Sequence, residues 1–149
     1  MDINISDIQQ KKLKICCLTY NLHGTGLDKI QINNLLKEHK NKDFDIFVIS
    51  TQESQRSIAW NLVYYDKSYF EIDLESFFTQ EYIKLDTITL GGIHLIIFVK
   101  VKYKDLVTNY RSEYVKTGWY GFLGNKGAVG ISFKLFNLTF LFVNNHLTH

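Results

Sequence analysis

The sequence of 149 residues contains no proline and only two cysteines. Average proline usage of about 5% would give roughly seven prolines, but we infer no function from their absence. The cysteines are the neighbours Cys16 and Cys17, and one adjacent pair does not build a secreted disulfide scaffold. We therefore expect no disulfides and a reducing, cytoplasmic setting.

Long apolar runs and a strong charge of one sign are also missing. The longest unbroken apolar run, Leu95–Val99, has five residues, far short of the roughly 20 that a membrane-crossing helix needs. Seventeen basic and fifteen acidic residues leave a net charge of +2. This excess is too small to make nucleic acid or an anionic membrane the default partner.

The residues that are present indicate a globular protein. Apolar residues make up 46% of the chain, aromatic residues 15% and charged residues 21%, which are ordinary values for a folded domain. Residues 1–12 are a polar lead-in without a signal-peptide pattern. No repeat or linker interrupts residues 13–149, so we predict one domain or part of one.

The first half of the chain has the pattern of a layered α/β fold. Leu13–Tyr20 and Phe44–Ser50 are apolar through their middle, as expected of buried strands. Asp28 and Gln31 resemble a capping box, which predicts a helix over residues 28–40. A strand, a helix and a second apolar strand in succession are typical of α/β folds.

The next elements are predicted with less regular patterns. Ser54 can cap a helix, and residues 66–80 have a weak helical pattern. Tyr82–Leu90 and Ile93–Tyr103 are rich in β-formers and are joined by Gly91-Gly92, which predicts a hairpin or a bulged turn.

Two strands, Ala128–Leu135 and Leu138–Asn145, close the sequence. Val129, Ile131, Phe133 and Leu135 alternate on one face of the first strand. The second strand is apolar on both faces, and a strand buried on both faces needs a layer on each side.

Polar residues follow three of the predicted strands: Asn21, then Gln52-Glu53, then Asn144-Asn145-His146. Strand ends that face one rim of an α/β sheet are where sites collect, although each residue taken alone is more typical of a turn. A carboxylate with amide neighbours suits Mg²⁺ better than Zn²⁺. His146 lacks the spacing of a zinc site, and the other histidines, His94 among them, are expected to be core or surface residues.

A glycine-rich segment at residues 118–127 could present backbone N–H groups and Lys126 to a phosphate. It does not fit the Walker motif, because Lys126 lies between Asn125 and Gly127. A flexible turn is the alternative interpretation.

Together these motifs resemble the catalytic domain of the inositol polyphosphate 5-phosphatases, within the endonuclease/exonuclease/phosphatase superfamily. The blocks occur in the family's order from about Leu13 onwards, and the Gly-Asn-Lys-Gly block is specific to the inositol branch. The blocks are Thr19–Gly24 (TYNLHG), Ser50–Glu53 (STQE), Gly92–Lys100 (GIHLIIFVK), Thr117-Gly118 with Gly124–Gly130 (GNKGAVG), and Phe142–Leu147 (FVNNHL).

The resemblance implies a four-layer α/β sandwich of the DNase I-like type and Mg²⁺-dependent hydrolysis of a 5-phosphate from an inositol ring. It makes Glu53 the metal ligand and Asn21 a residue that positions the metal-bound phosphate. It makes His146 the residue that binds the scissile phosphate. Asn125 and Lys126 resemble contacts to another phosphate, at ring position 1. Gln52 and Asn144 have supporting roles.

The resemblance also implies that residues 13–149 are the N-terminal half of the catalytic domain. The family's later segments, which orient the attacking water and read the 4-phosphate, do not follow His149. We therefore expect the 149-residue chain to be inactive and poorly soluble by itself.

The implied partner is a phosphoinositide headgroup or a soluble inositol phosphate, with cytoplasmic localisation and peripheral contact with cytosolic membrane surfaces. One alternative is a non-catalytic module that binds phosphoinositides or regulates other proteins. A nuclease of the same superfamily is a third interpretation, which the near-neutral charge and the Gly-Asn-Lys-Gly block disfavour.

Overall fold

A computed structural model describes residues 12–54, 68–117 and 126–147, which form two β-sheets packed face to face and a helical layer. Within these ranges, no helix is long and apolar enough to cross a membrane. In chain order the elements are β1 (Ile15–Asn21), α1 (Lys29–Lys40), β2 (Ile46–Gln52), α2 (Ser68–Phe78), a 3₁₀ turn (Thr79–Glu81), β3 (Tyr82–Leu90), β4 (Ile93–Lys100), a second 3₁₀ segment (Val101–Leu106), β5 (Val107–Lys116), β6 (Gly127–Leu135) and β7 (Leu138–His146).

The first sheet, sheet A, has the strand order β1-β2-β4-β3. Strands β1 and β2 are parallel, and the other neighbours are antiparallel. The helix α1 makes the crossover that a parallel pair requires. It begins at the predicted capping box, in which the Gln31 N–H donates to Asp28 Oδ1 at 2.8 Å and the Asp28 N–H donates to Gln31 Oε1 at 2.9 Å.

The second sheet, sheet B, has the order β5-β6-β7, with both pairs antiparallel. Alternate residues of β6 face sheet A and are fully buried, as the sequence pattern predicts: they are Val129, Ile131, Phe133 and Leu135. They pack against the inner face of sheet A. A second core lies between the outer face of sheet A and the helices, and it includes Ile32, Phe47, Leu74, Phe78 and Phe98.

The predicted α/β sandwich is confirmed, and the described residues supply three of its layers. One predicted boundary is wrong: strand β4 ends at Lys100 rather than Tyr103, because a 3₁₀ segment begins at Val101. Strand β5 is not among the strands that the sequence pattern predicts. Nearly all of β5 is exposed, so it lacks the apolar alternation that predicts a strand. The helix predicted after Ser54 lies outside the described residues.

Strand β7 buries only one of its two apolar faces within the part of the chain that the structure describes. Phe140 and Phe142 pack against the core, but Leu141 is 68% exposed and Val143 is 54% exposed. In this part of the chain β7 is also an edge strand of sheet B. An apolar edge strand of this kind is prone to pair with other chains.

A cleft of about 390 Å³ opens where β1 extends beyond the three strands of sheet B. Its walls carry Thr19 and Gln52 from sheet A, and Phe142 and Asn144 from sheet B. The thiol-bearing residue Cys17 also lines it. Both cysteines are free, Cys16 buried and Cys17 exposed.

Candidate active site

The predicted site residues of sheet A meet at one rim of the sandwich. Parallel pairing places Asn21 directly opposite Gln52, the last residues of β1 and β2. The backbone continues this register past the strands, since the Leu22 N–H donates to the Gln52 carbonyl and the Gly24 N–H to the Glu53 carbonyl, both at 2.8 Å. The ends of β1 and β2 are therefore held together where the site lies.

Asn144 of β7 joins sheet B to this rim. Its Oδ1 accepts a hydrogen bond from Gln52 Nε2 at 2.6 Å, and its Nδ2 donates to the carbonyls of Thr51 and His94, each at 2.9 Å. Gln52 Nε2 also donates to Thr19 Oγ1 at 3.1 Å. Asn144 is only 4% exposed, and a buried amide that forms this many hydrogen bonds has a fixed orientation.

Glu53 follows β2 in a left-handed backbone conformation with φ of 51°. Such a conformation is uncommon for a residue with a side chain. The turn at Gly91-Gly92 packs directly against it: a Cβ added to Gly92 would lie 3.3 Å from Glu53 Cα, and the Gly92 carbonyl accepts a hydrogen bond from the Ser54 N–H at 3.1 Å. This close approach fixes the backbone that directs the Glu53 carboxylate.

His146, at the end of β7, contacts two charged side chains. Its Nε2 lies 3.4 Å from Glu53 Oε1 and 2.7 Å from Lys126 Nζ. Both contacts are made by the same ring nitrogen, Nε2. Glu53, His146 and Lys126 therefore form a cluster, which we call the rim cluster, with residues from both sheets.

Gly127, between Lys126 and the rest of β6, allows β5 to approach β6 closely. It pairs with His146 in the β6–β7 register and adopts φ of 149°. A Cβ at this position would lie 2.1 Å from the Val115 carbonyl oxygen, a distance that real Cβ atoms do not reach. The Thr117 N–H donates to the Lys126 carbonyl at 3.0 Å, which closes the base of the glycine-rich segment.

Not every predicted site residue joins this arrangement. Asn21 Oδ1 accepts a hydrogen bond from the His23 N–H at 2.9 Å, which is the turn role that its type also favours. Asn125 lies outside the described residues. The resemblance assigns Lys126 and His146 to different phosphates, yet their side chains are in contact.

The donor set at this rim fits a hard cation. Glu53 supplies one carboxylate, its side chain is 26% exposed, and its neighbours in the chain and across the sheet are the amides Gln52 and Asn21. Among the residues that the structure describes, no three His, Cys, Asp or Glu side chains cluster as metal ligands. One carboxylate with water in the remaining positions is a coordination that Mg²⁺ accepts and structural Zn²⁺ does not.

A buried polar cluster next to the site was not predicted from the sequence. His94 is 1% exposed, and its Nε2 lies 3.0 Å from Glu71 Oε1 and 3.1 Å from Thr87 Oγ1. The hydrogen bond with His94 is the largest effect that lowers the pKa of Glu71, to about 2 from an ordinary 4.5. Glu71 lies in the weakly patterned stretch 66–80, where no sequence signal marks it.

The family model for the endonuclease/exonuclease/phosphatase family 2 matches residues 18–149. The chain belongs to this family. The matched residues include most of both sheets and all three residues of the rim cluster.

Curated relatives carry the names of phosphatidylinositol phosphate or inositol polyphosphate 5-phosphatases. The chain is 38% identical over 108 residues to human phosphatidylinositol 3,4,5-trisphosphate 5-phosphatase 1 and 36% identical over 107 residues to zebrafish (Danio rerio) phosphatidylinositol 3,4,5-trisphosphate 5-phosphatase 2A. Each alignment covers 70% of this chain and 8% of the relative. Mouse inositol polyphosphate 5-phosphatase K is 25% identical over 138 residues, which are 91% of this chain and 29% of that protein.

Solved structures confirm the fold. The inositol polyphosphate 5-phosphatase domain of SPsynaptojanin, solved in complex with inositol (1,4)-bisphosphate and a calcium ion, matches with a TM-score of 0.70 and 28% identity over 91% of this chain. A Cimex nitrophorin matches with a TM-score of 0.71 at 14% identity, which reflects the fold alone. The chain spans 40% of the SPsynaptojanin chain and 47% of the nitrophorin.

Proposed function

We propose that the protein from which this chain comes is a Mg²⁺-dependent phosphomonoester hydrolase that removes the 5-phosphate from an inositol phosphate. The observation that carries the proposal is the rim cluster, in which Glu53 and His146 come from different sheets and meet at 3.4 Å. The predicted family resemblance and the names of the curated relatives point to the same reaction.

The residues at the rim have different chemical roles in the proposed reaction. His146 supplies an imidazole that can form hydrogen bonds, and Lys126 supplies a positive charge beside it. Together they can hold the non-bridging oxygens of a phosphate as charge develops on them. Gln52 and Asn144 fix the strand ends from which Glu53 and His146 project. In-line hydrolysis by water needs such fixed donors more than it needs a covalent nucleophile.

Glu53 is the residue that would hold the metal ion, and Asn21, which is paired with Gln52, would help to orient the phosphate. Mg²⁺, when bound, would neutralise negative charge on the phosphate and make it a better electrophile.

The proposed substrate is a phosphoinositide headgroup or a soluble inositol polyphosphate. If the substrate is a lipid, the protein acts at the cytosolic surface of a membrane as a peripheral protein. The net charge of +2 gives little attraction to an anionic surface, so the headgroup itself has to provide most of the specificity.

We further propose that this chain needs additional polypeptide to form the complete catalytic domain. Two features support this: the outward residues Leu141 and Val143 of β7 are exposed, and the inner face of β1 borders a cleft rather than a strand of sheet B. A single further segment could cover both, because β1 and β7 lie on the same side of the sandwich.

The test is a phosphate-release assay on the native polypeptide and, separately, on residues 1–149. Soluble inositol 1,4,5-trisphosphate and a short-chain phosphatidylinositol 3,4,5-trisphosphate are the substrates, with Mg²⁺ or with a chelator. We expect Mg²⁺-dependent release from the native polypeptide and none from the short chain. Headgroup binding without release by the native polypeptide would instead support a non-catalytic phosphoinositide-binding module.

A further inference from the structure

His94 is a buried histidine whose side chain and backbone face different parts of the molecule. The side chain lies on the helix side of sheet A, where its Nε2 contacts Glu71 of α2 and Thr87 of β3 at 3.0 and 3.1 Å. The Phe70 ring packs edge-on against the imidazole, with 5.6 Å between centroids. The imidazole is thus held from α2 and from β3.

The backbone of the same residue supports the candidate active site. The His94 carbonyl accepts a hydrogen bond from Asn144 Nδ2 at 2.9 Å. Asn144 in turn accepts from Gln52 Nε2 at 2.6 Å, and Gln52 directly precedes Glu53. A continuous series of short hydrogen bonds therefore runs from Glu71 through His94 and Asn144 to Gln52.

We propose that Glu71 and His94 are a positioning pair that sets the place of the His94 carbonyl, and through it the orientation of the Asn144 and Gln52 amides beneath Glu53 and His146. The effect on turnover rests on the proposed phosphatase function, whereas the effect on the Asn144 amide does not.

The physical reason is that hydrogen bonds hold both the His94 side chain and the Asn144 amide in place. A histidine that is 1% exposed loses its water and needs a protein partner for its ring nitrogens. Thr51 and His94 are paired in the β2–β4 register, and Asn144 Nδ2 donates to both of their carbonyls. If the imidazole loses Glu71 and turns, the His94 carbonyl shifts, and one of the two acceptors that fix Asn144 shifts with it.

The chain provides a matched control for Glu71. Glu75 lies one turn further along α2, and both carboxylates pair with Lys84, at 3.2 Å for Glu71 and 2.5 Å for Glu75. Of the two, Glu71 is the one that contacts His94. Comparing Glu71→Ala with Glu75→Ala therefore separates the contact with His94 from the ion pair with Lys84.

The experiment uses the native polypeptide labelled with ¹⁵N-asparagine. The side-chain amide signals of Asn144 are assigned by their loss in Asn144→Asp. We expect these signals to shift in Glu71→Ala, to stay in place in Glu75→Ala and to return in Glu71→Gln, which keeps an acceptor oxygen. If Glu71→Ala does not fold, Thr87→Val is expected to cause a smaller shift, because it removes a hydroxyl that donates to Glu71 Oε1 at 3.0 Å and contacts His94 Nε2.

Turnover of a soluble inositol trisphosphate with Mg²⁺ is the second readout. We expect kcat to fall about tenfold in Glu71→Ala with KM within twofold, since misplaced site groups mainly slow the chemical step, and no change in Glu75→Ala. Unmoved Asn144 signals in Glu71→Ala, or equal shifts in the two alanine variants, would overturn the positioning role. If the parent protein releases no phosphate, the proposed function fails, and the Asn144 signals still decide this inference.

Discussion

Asn144 and Gln52 link the two sheets at the site by a 2.6 Å hydrogen bond between their side-chain amides. The two residues are 92 positions apart in the chain. Each amide has further partners, which are the Thr51 and His94 carbonyls for Asn144 and the Thr19 hydroxyl for Gln52. Because the orientation of both amides is fixed, Glu53, which follows Gln52, and His146, two residues after Asn144, project from a rigid base.

Glu53→Gln is expected to lower the turnover of the native polypeptide by a factor on the order of 10² or more, because the proposed metal ligand loses its charge. The measurement is Mg²⁺-dependent phosphate release, with circular dichroism to confirm the fold. Glu38→Gln, on an exposed position of α1, is the control and should keep wild-type turnover. Wild-type turnover in Glu53→Gln would contradict the metal-binding role.

Lys126 and His146 are expected to act as a coupled pair. Their side-chain nitrogens are 2.7 Å apart, and residues in contact are typically coupled by about 0.5–3 kcal/mol. In a double-mutant cycle, Lys126→Met combined with His146→Ala should therefore reduce turnover less than the product of the two single effects. Lys134→Met, at the other end of β6, is the control. Strictly multiplicative effects of Lys126→Met and His146→Ala would mean that the two residues act on different groups.

Gly127→Ala is expected to destabilise the protein by about 2 kcal/mol or more, because the new Cβ would collide with the Val115 carbonyl in a backbone conformation that favours glycine. Gly130→Ala is the control on the same strand, since its Cβ would meet neighbours only at 3.6 Å or beyond. The free energies of unfolding in urea compare the two variants. Similar values for both would show that the β5–β6 pair adapts without strain.

Acid is expected to weaken the packing of α2 on sheet A. The hydrogen bond with His94 holds the pKa of Glu71 at about 2, below its ordinary 4.5. Because the pKa of Glu71 is lower in the folded protein than in the unfolded chain, the charged carboxylate stabilises the folded state. This contribution is complete above about pH 4.5 and is lost as the pH falls towards 2. Urea unfolding at pH 6, 4 and 3 should show a smaller loss in Glu71→Gln than in the parent. An identical pH dependence in both would contradict this role of Glu71.

Asp45 is expected to matter for stability and not for the reaction. It lies at the start of β2, opposite the rim, and accepts hydrogen bonds from the Lys14 N–H at 3.0 Å and the Tyr103 hydroxyl at 2.8 Å. Burial acts to raise the pKa of Asp45, but these bonds and Lys102 hold it below its ordinary range. Asp45→Asn should lower the free energy of unfolding by about 1–2 kcal/mol and leave turnover unchanged. A large loss of turnover at full folding would place Asp45 in the reaction.

Several elements could be predicted because the signal is local. The capping box of Asp28 and Gln31, the alternation in β6 and the apolar runs of β1 and β2 each depend on neighbouring residues, and the structure confirms them. The strand that the sequence pattern does not predict, β5, is exposed along nearly all of its length. A strand held by backbone pairing alone leaves no apolar pattern in the sequence.

The sequence by itself determined the family, the fold class and the residue types at the strand ends, because motif order and hydrophobic periodicity are properties of the chain. Only the tertiary structure decided which of these residues meet. The Gln52–Asn144 bond, the contact of Lys126 with His146 and the burial of His94 beside Glu71 join residues that are 92, 20 and 23 positions apart. Such contacts depend on how two sheets and a helix pack, and no local pattern encodes that packing.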